Sequence, residues 1–416
     1  MGEYKTPGVY IKEKNAFGNS IVEAETAIPA FIGFTEKALN GDDDLTNIPW
    51  KISSMNEFIQ YFGGAPALSL KVEVKKIHHL TQQLMKEKKK LPNETADGLF
   101  IYIDHSHEYT EKMALESDQE TTSSGSNTDQ YDVPYNHAFC IDGQHPYSLY
   151  YQMQMFFANG GGTCYVVSVG TYGEKKDAID DKLVENALAA LEKEREVTMI
   201  VVPEAVFGDR CSNIQQLMMK HCGEMANRFA ILDVPQGDKS LQLDKRMEVF
   251  QNTVTNYFSY GAAYFPWLNT TVLSEKNLNG DMFEWDESVW TNMGNLEQMD
   301  ASMTAILKSF GSKTEVLELK SGKDNKGKDG FSFDSVKTGP FEGGEVTDIE
   351  EVKDDTGNVT AKKVTVVHYS KDNLPDKDTL HLALYNGSPL YKQAIKGVLK
   401  QLNLLPPSAA MAGIYT

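Results

Sequence analysis

Two carboxylates stand where an α/β enzyme would place an acid and a base. Glu204 follows an apolar run closed by Pro203, and Asp233 lies near the end of the next such run, just before Pro235. Both fall at the carboxyl ends of expected parallel strands, the crevice side of an open sheet. Catalysis there needs further members. The chain has no nucleophile elbow G-x-S-x-G and no phosphate loop G-x-x-x-x-G-K-[ST]. The nearest approach is residues 322–328, where Asp329 replaces the metal-binding hydroxyl and no strand is expected to precede. Loop carboxylates that cap helices are the commoner outcome.

Other candidates are weaker. Asn159, Gly160, Gly161, Gly162 and Thr163 would make a phosphate cradle only if the glycines followed a strand and opened a helix. Here they close a helix and open a strand, so a tight turn is expected. His105 and His107, beside Asp104 and Glu108, have the spacing that puts two imidazoles on one face of a strand, but no third ligand is evident. His221 and Cys222 are adjacent on an expected helix and point about 100° apart. Tyr264, Phe265, Pro266 and Trp267 read as a core corner before a ligand pocket. No catalytic residue, metal site or cofactor is assigned.

The elements that would position these groups alternate. Apolar runs at residues 27–35, 164–169, 198–202, 229–234 and 261–267 are separated by helical patterns at 147–157, 178–194, 213–228 and near 239–258. Strands alternating with helices of ten or more residues imply parallel pairing with right-handed crossovers. The expected fold is a three-layer α/β core with a mainly parallel sheet, plus inserted α+β or mostly β subdomains and an extended N-terminal arm. A short strand at residues 49–52, a Ser53 or Ser54 cap, a helix from Met55 to Phe62 and a stop at Gly63 precede it.

The expected division runs as follows: an arm at 1–26, the first part of the core at 27–66, and an insertion at 67–135. The α/β core at 136–268, an inserted mostly β subdomain at 269–378 and a return to the core at 379–416 complete it. Within the insertions, residues 71–90 read as a basic amphipathic helix and 116–132 as a mobile loop. Residues 321–330 read as a loop, and Asp354 to Asn358 as a hairpin turn. The tail reads as strand-like.

The formal net charge is −19 over 416 residues, which argues against a surface built for nucleic acid or anionic lipid. No leader with a basic region and an apolar core opens the chain, and nowhere do eighteen apolar residues run together. Four cysteines, Cys140, Cys164, Cys211 and Cys222, show no metal-ligand spacing, and buried free thiols suited to a reducing cytoplasm are expected.

The two ends carry a further signal. Thr6, Pro7, Gly8, Val9, Tyr10 and Ile11 read as a turn feeding a strand. Residues 405–416, with Pro406, Pro407, Ser408, Ala412, Gly413, Ile414 and Tyr415, finish in an apolar run with no polar tail. These two segments, with residues 156–167, 228–235 and 262–268, resemble in order the contractile tail sheath proteins of phage tails, tailocins and contractile injection systems.

The resemblance implies a structural subunit in a helical stack of rings around an inner tube. Its arm and C-terminal region would link neighbouring subunits, with baseplate and terminator proteins as further partners. Assembly in the cytoplasm is expected; with no leader and no apolar span, an extracellular role would require release by lysis or another route, and neither a nucleic-acid partner nor membrane insertion is expected. Family members resemble one another beyond the point matching Thr416, so the chain is expected to lack a C-terminal domain. Alone, it is then expected to be a monomer or small oligomer.

Overall fold

The computed structural model describes residues 27–79, 86, 89–90, 99–114, 116–117, 130–143, 147–173, 179–207, 210–235, 248, 250–251, 255–323, 329–331, 345–370, 372, 374 and 376–416. The arm at residues 6–11, residues 118–129 and most of the helix expected near 239–258 lie outside them.

The first apolar run forms β1 (Pro29–Thr35), every residue of which is buried. Burial on both faces is why that run is continuous rather than alternating. A small hairpin, β2 (Leu39–Asn40) with β3 (Asp43–Asp44), leads to β4 (Trp50–Ile52) and helix α1 (Met55–Phe62). The Ser54 hydroxyl accepts from Glu57 N, and Gly63 ends the helix. Its buried face is Phe58 and Phe62; four residues apart, they lie one above the other, each worth about 2 kcal/mol of burial.

The chain then builds a second body. Strands β5 (Leu70–His78), β6 (Phe100–Ile103), β7 (Tyr109–Ala114) and β8 (Gln130–Gly143) share a sheet in which β8 runs antiparallel to the other three. Over residues 71–78 the helix expected at 71–90 is thereby corrected to a strand: Leu70, Val72 and Val74 repeat with the period of two that a strand requires, and all are buried. Residues 80–85 and 87–88 lie outside the described residues. Glu73, buried between the lysines, is held by Lys71 at 2.8 Å and Lys75 at 2.6 Å. His105 and His107 do not share a strand face. Strand β6 ends at Ile103, and both histidines sit exposed in the turn beyond it.

Returning to the first body, α2 (Leu149–Ala158), β9 (Cys164–Thr171), α3 (Asp181–Leu191), β10 (Met199–Val201), α4 (Cys211–Met225), β11 (Phe229–Asp233) and β12 (Gly261–Tyr264) follow the alternation in the sequence. The six-stranded sheet has the order β12-β11-β10-β1-β9-β4. All its pairs are parallel except β9 with β4. On one face Ile32, Val167, Ile200 and Leu232 pack with α3 and α4. On the other, Phe31, Val166, Val201 and Ile231 pack with α1, α2 and the last helix of the chain. This is the expected three-layer α/β core.

Beyond it come β13 (Leu268–Asn269), β14 (Phe283–Trp285), α5 (Glu287–Thr291), α6 (Met293–Met299) and α7 (Ala301–Gly311). Next are β15 (Ser312–Lys323), β16 (Asp329–Phe331), β17 (Glu345–Lys353) and β18 (Val359–Tyr369), a four-stranded sheet of order β16-β15-β18-β17. The loop expected at 321–330 is corrected at its two ends, where Ser321 to Lys323 pair with Asp329 to Phe331. A strand does run into Gly322, and it pairs antiparallel with Asp329 to Phe331; residues 324–328 between them lie outside the described residues.

Helices α8 (Lys377–Gly387) and α9 (Pro389–Leu402), strand β19 (Leu404–Leu405) and helix α10 (Ser408–Tyr415) complete the chain. Strand β14 pairs with β5, and Leu70, Val72, Phe139, Trp285, Leu307, Leu384 and Ile395 share one core. The segments at 67–135 and 269–378 therefore meet in a single body with α8 and α9. The strand-like reading of the tail is corrected to a helix. Its first residues are small or apolar because they are buried, while Ile414 and Tyr415 at its end are exposed.

Candidate functional site: the seat of the last helix

Pro406 and Pro407 stop β19, and Pro407, with φ of −80°, stands at the cap of α10. Proline suits a helix start, where its missing N–H would be unpaired anyway. The first free donor of the helix, Ser408 N–H, donates to Asp233 Oδ1 at 2.8 Å, at the carboxyl end of β11. Ala409, Ala410, Ala412 and Gly413 then lie buried against α2 and the sheet. Small residues allow this approach. A Cβ on Gly413 would sit 2.5 Å from the Phe156 carbonyl oxygen of α2. Exposed Ile414 follows, and the Tyr415 hydroxyl hydrogen-bonds the Tyr264 hydroxyl of β12.

The stretches at 156–167, 228–235, 262–268 and 406–415 thus meet around one helix. Phe156 faces Gly413, Asp233 holds Ser408, and Tyr264 bonds Tyr415. Trp267 extends the contact, its indole N–H donating to Val234 O at 3.0 Å. Gly160, Gly161 and Gly162 make the expected turn between α2 and β9; Gly160 has φ of 96° and Gly161 N–H donates to Phe156 O at 3.0 Å.

Glu204 and Asp233 do lie at the carboxyl ends of parallel strands, but neither faces a crevice. They take the commoner, helix-capping role, as buried anchors rather than an acid and a base. Glu204, in the 3-10 turn opened by Pro203, is fully buried. Its Oε2 accepts from Phe34 N–H at 2.8 Å, and its Oε1 accepts from Ser148 N–H at 2.9 Å and Leu149 N–H at 3.1 Å. That side chain ties β1 to the first turn of α2. Burial pushes its carboxyl up to about 7 against the pull of the three N–H donors. Burial likewise pushes Asp233 up to about 7, opposed by Ser408. Pro235 follows Val234 as the strand's exit.

Sequence reasoning missed the partners. Ser148, just before an apolar helical run, carried the signal of a helix cap; Gln215, whose amide donates to the Asp233 carbonyl at 2.6 Å, carried none. Gln152, one turn into α2, is fully buried with neither side-chain polar atom paired among the described residues.

His221 and Cys222 are buried. Burial and the neighbouring Arg228, whose Nη1 is 3.0 Å from His221 Nε2, hold that imidazole down to about 4. All four cysteines are free and buried. Among the described residues no group of three or more His, Cys, Asp or Glu side chains is arranged to hold a metal, and no helix is long and apolar enough to cross a membrane.

No family model matches the chain, and no curated protein matches it. Among solved structures it aligns with the helical sheath of the anti-feeding prophage in its contracted state, determined by cryo-EM. The alignment has 14% identity and a TM-score of 0.29, and covers 98% of this chain and 81% of that one. An overlap this distant does not establish a common fold.

Proposed function

We propose that this chain is a structural subunit of a contractile sheath, polymerising around an inner tube and contracting to drive it through a target envelope. The observation that carries the reading is the convergence just described. Stretches chosen for their sequence resemblance to sheath proteins, far apart in the chain, pack around α10. The carboxylates that an enzyme would need are committed to backbone N–H groups inside the protein, which favours assembly over chemistry.

The sheet offers places for assembly. Strands β12 and β4 are its edges, with no strand on their outer sides among the described residues. Unpaired edge amides and carbonyls accept an extended segment from a neighbour. The arm, Thr6 to Ile11, is the segment we assign to that linkage, and the α10 region the second link. Other sheath subunits, the inner tube, and baseplate and terminator proteins are the partners. Assembly takes place in the cytoplasm as part of a phage-like particle.

Negative-stain electron microscopy tests this on the chain, on the chain extended by any coding sequence beyond Thr416, and on each without residues 1–20. Rings or hollow cylinders formed only by the extended, arm-bearing chain are the expected result. Absence of assembly from every version at high concentration overturns the reading.

A further inference from the structure

Helix α9 carries Lys392, Lys396 and Lys400 at intervals of four and no acidic residue along its length. That spacing keeps the three on one side of a helix, and all are exposed. Across from them the 3-10 turn Glu275–Asn277 contributes Lys276, also exposed. Lys276, Lys396 and Lys400 line an open groove of about 710 Å³, together with Leu273, Leu399 and Asn403. The groove's own carboxylate, Glu275, is engaged by the Tyr385 hydroxyl. On a chain with a formal net charge of −19, this is a concentrated positive surface.

The complementary charge lies elsewhere on the same chain. The β2–β3 hairpin presents Asp42, Asp43 and Asp44, all exposed, with Leu39 and Ile48 exposed at 43% and 45% beside them. Asp44 accepts from the Thr46 N–H at 2.8 Å, and the Thr46 hydroxyl and N–H together hold its carboxyl below the usual range.

We propose that the lysine groove of one copy receives the Asp42, Asp43 and Asp44 tip of a second copy. Three carboxylates meet three ammonium groups, and Leu39 and Ile48 meet Leu273 and Leu399, a charged contact around a small apolar centre. A nucleic acid fits less well, since the groove includes a carboxylate and no aromatic ring for a base to stack on. The contact is independent of the sheath reading, because it needs only two copies of this chain.

Charge exchange in the full chain tests it. One variant reverses the groove with Lys396→Glu and Lys400→Glu; a second reverses the tip with Asp42→Lys and Asp43→Lys. All four positions are exposed, so circular dichroism and Tm should stay at wild-type values. Sedimentation velocity at low ionic strength should show self-association weakened about tenfold or more in each variant alone, and weakened by salt in the wild type. Mixing the two variants should restore association, since each then offers the other a complementary pair of surfaces.

A wild-type chain that stays monomeric at low salt overturns the proposal, as does association indifferent to either reversal. Loss without recovery on mixing also overturns it and assigns the groove to some other acidic segment. Particles seen by microscopy that survive both reversals would retain the sheath reading and reject this contact.

Discussion

Ser408 N–H donates to Asp233 Oδ1 at 2.8 Å, joining residues 175 positions apart in the chain. The bond closes the first turn of α10 onto the end of β11, where water does not reach. Asp233→Ala would leave that N–H unpaired in a buried place and cost about 1–3 kcal/mol. Asp233→Asn keeps an acceptor oxygen and should cost less. Urea denaturation with hydrogen exchange at residues 408–412 checks this. Exchange rates unchanged in Asp233→Ala would show that the bond does not hold the helix.

Glu204 and Asp233 keep their protons to higher pH in the folded chain than in the unfolded one, where carboxyls titrate near 4. Between about 4 and about 7 the folded state therefore binds protons that the unfolded state has released. This contribution to stability is complete below the unfolded pKa and is lost as pH rises through about 7, with a slope of at most about 1.4 kcal/mol per pH unit for each group. Urea midpoints across that window should fall in the wild type and flatten in Glu204→Gln with Asp233→Asn. An equally steep fall in the double variant would place the titration elsewhere.

Gly413 is held against α2 so closely that a Cβ would stand 2.5 Å from the Phe156 carbonyl oxygen. Gly413→Val should push α10 outward and cost about 1–3 kcal/mol through overpacking. It should also separate Tyr415 from Tyr264. A Tm equal to wild type would mean that the helix is not seated there in solution.

Tyr391, fully buried, places its hydroxyl 2.9 Å from His381 Nδ1, and burial holds that histidine below its ordinary pKa. The Tyr391 ring also stacks on Trp285, with centroids 6.1 Å apart. Tyr391→Phe keeps the stacking and leaves Nδ1 unpaired, an expected loss of about 1 kcal/mol. A lowered urea midpoint with an unchanged m value is the expected signature.

The parallel sheet was legible because its strands are buried on both faces and read as unbroken apolar runs, as in β1 and β9. Strand β5 was not. Its lysines imitate the polar face of a helix, and the alternation of Leu70, Val72 and Val74 is short enough to be hidden by them. Helix α10 read as a strand because its eight residues include no charged side chain to mark a polar face, so they show no helical period. Glu204 and Asp233 could be placed at strand ends from sequence alone. Their role could not, since Ser148 and Ser408 lie 56 and 175 residues away and bond through the backbone, which carries no sequence signature.

The interleaving of the two bodies also constrains how the chain is made. It passes from the six-stranded sheet to the second body between Phe62 and Leu68, and returns between Gly143 and Leu149. It leaves again after Asn269 and comes back between Leu402 and Ser408. Neither body is a continuous stretch that a ribosome could release as a finished unit. The second waits for α9 to close its core, and the first waits for α10 to cover Ile231 and Val201. Until residue 415 has emerged, the nascent chain carries uncovered apolar sheet faces, which makes this a protein for which chaperone supply during synthesis should limit yield.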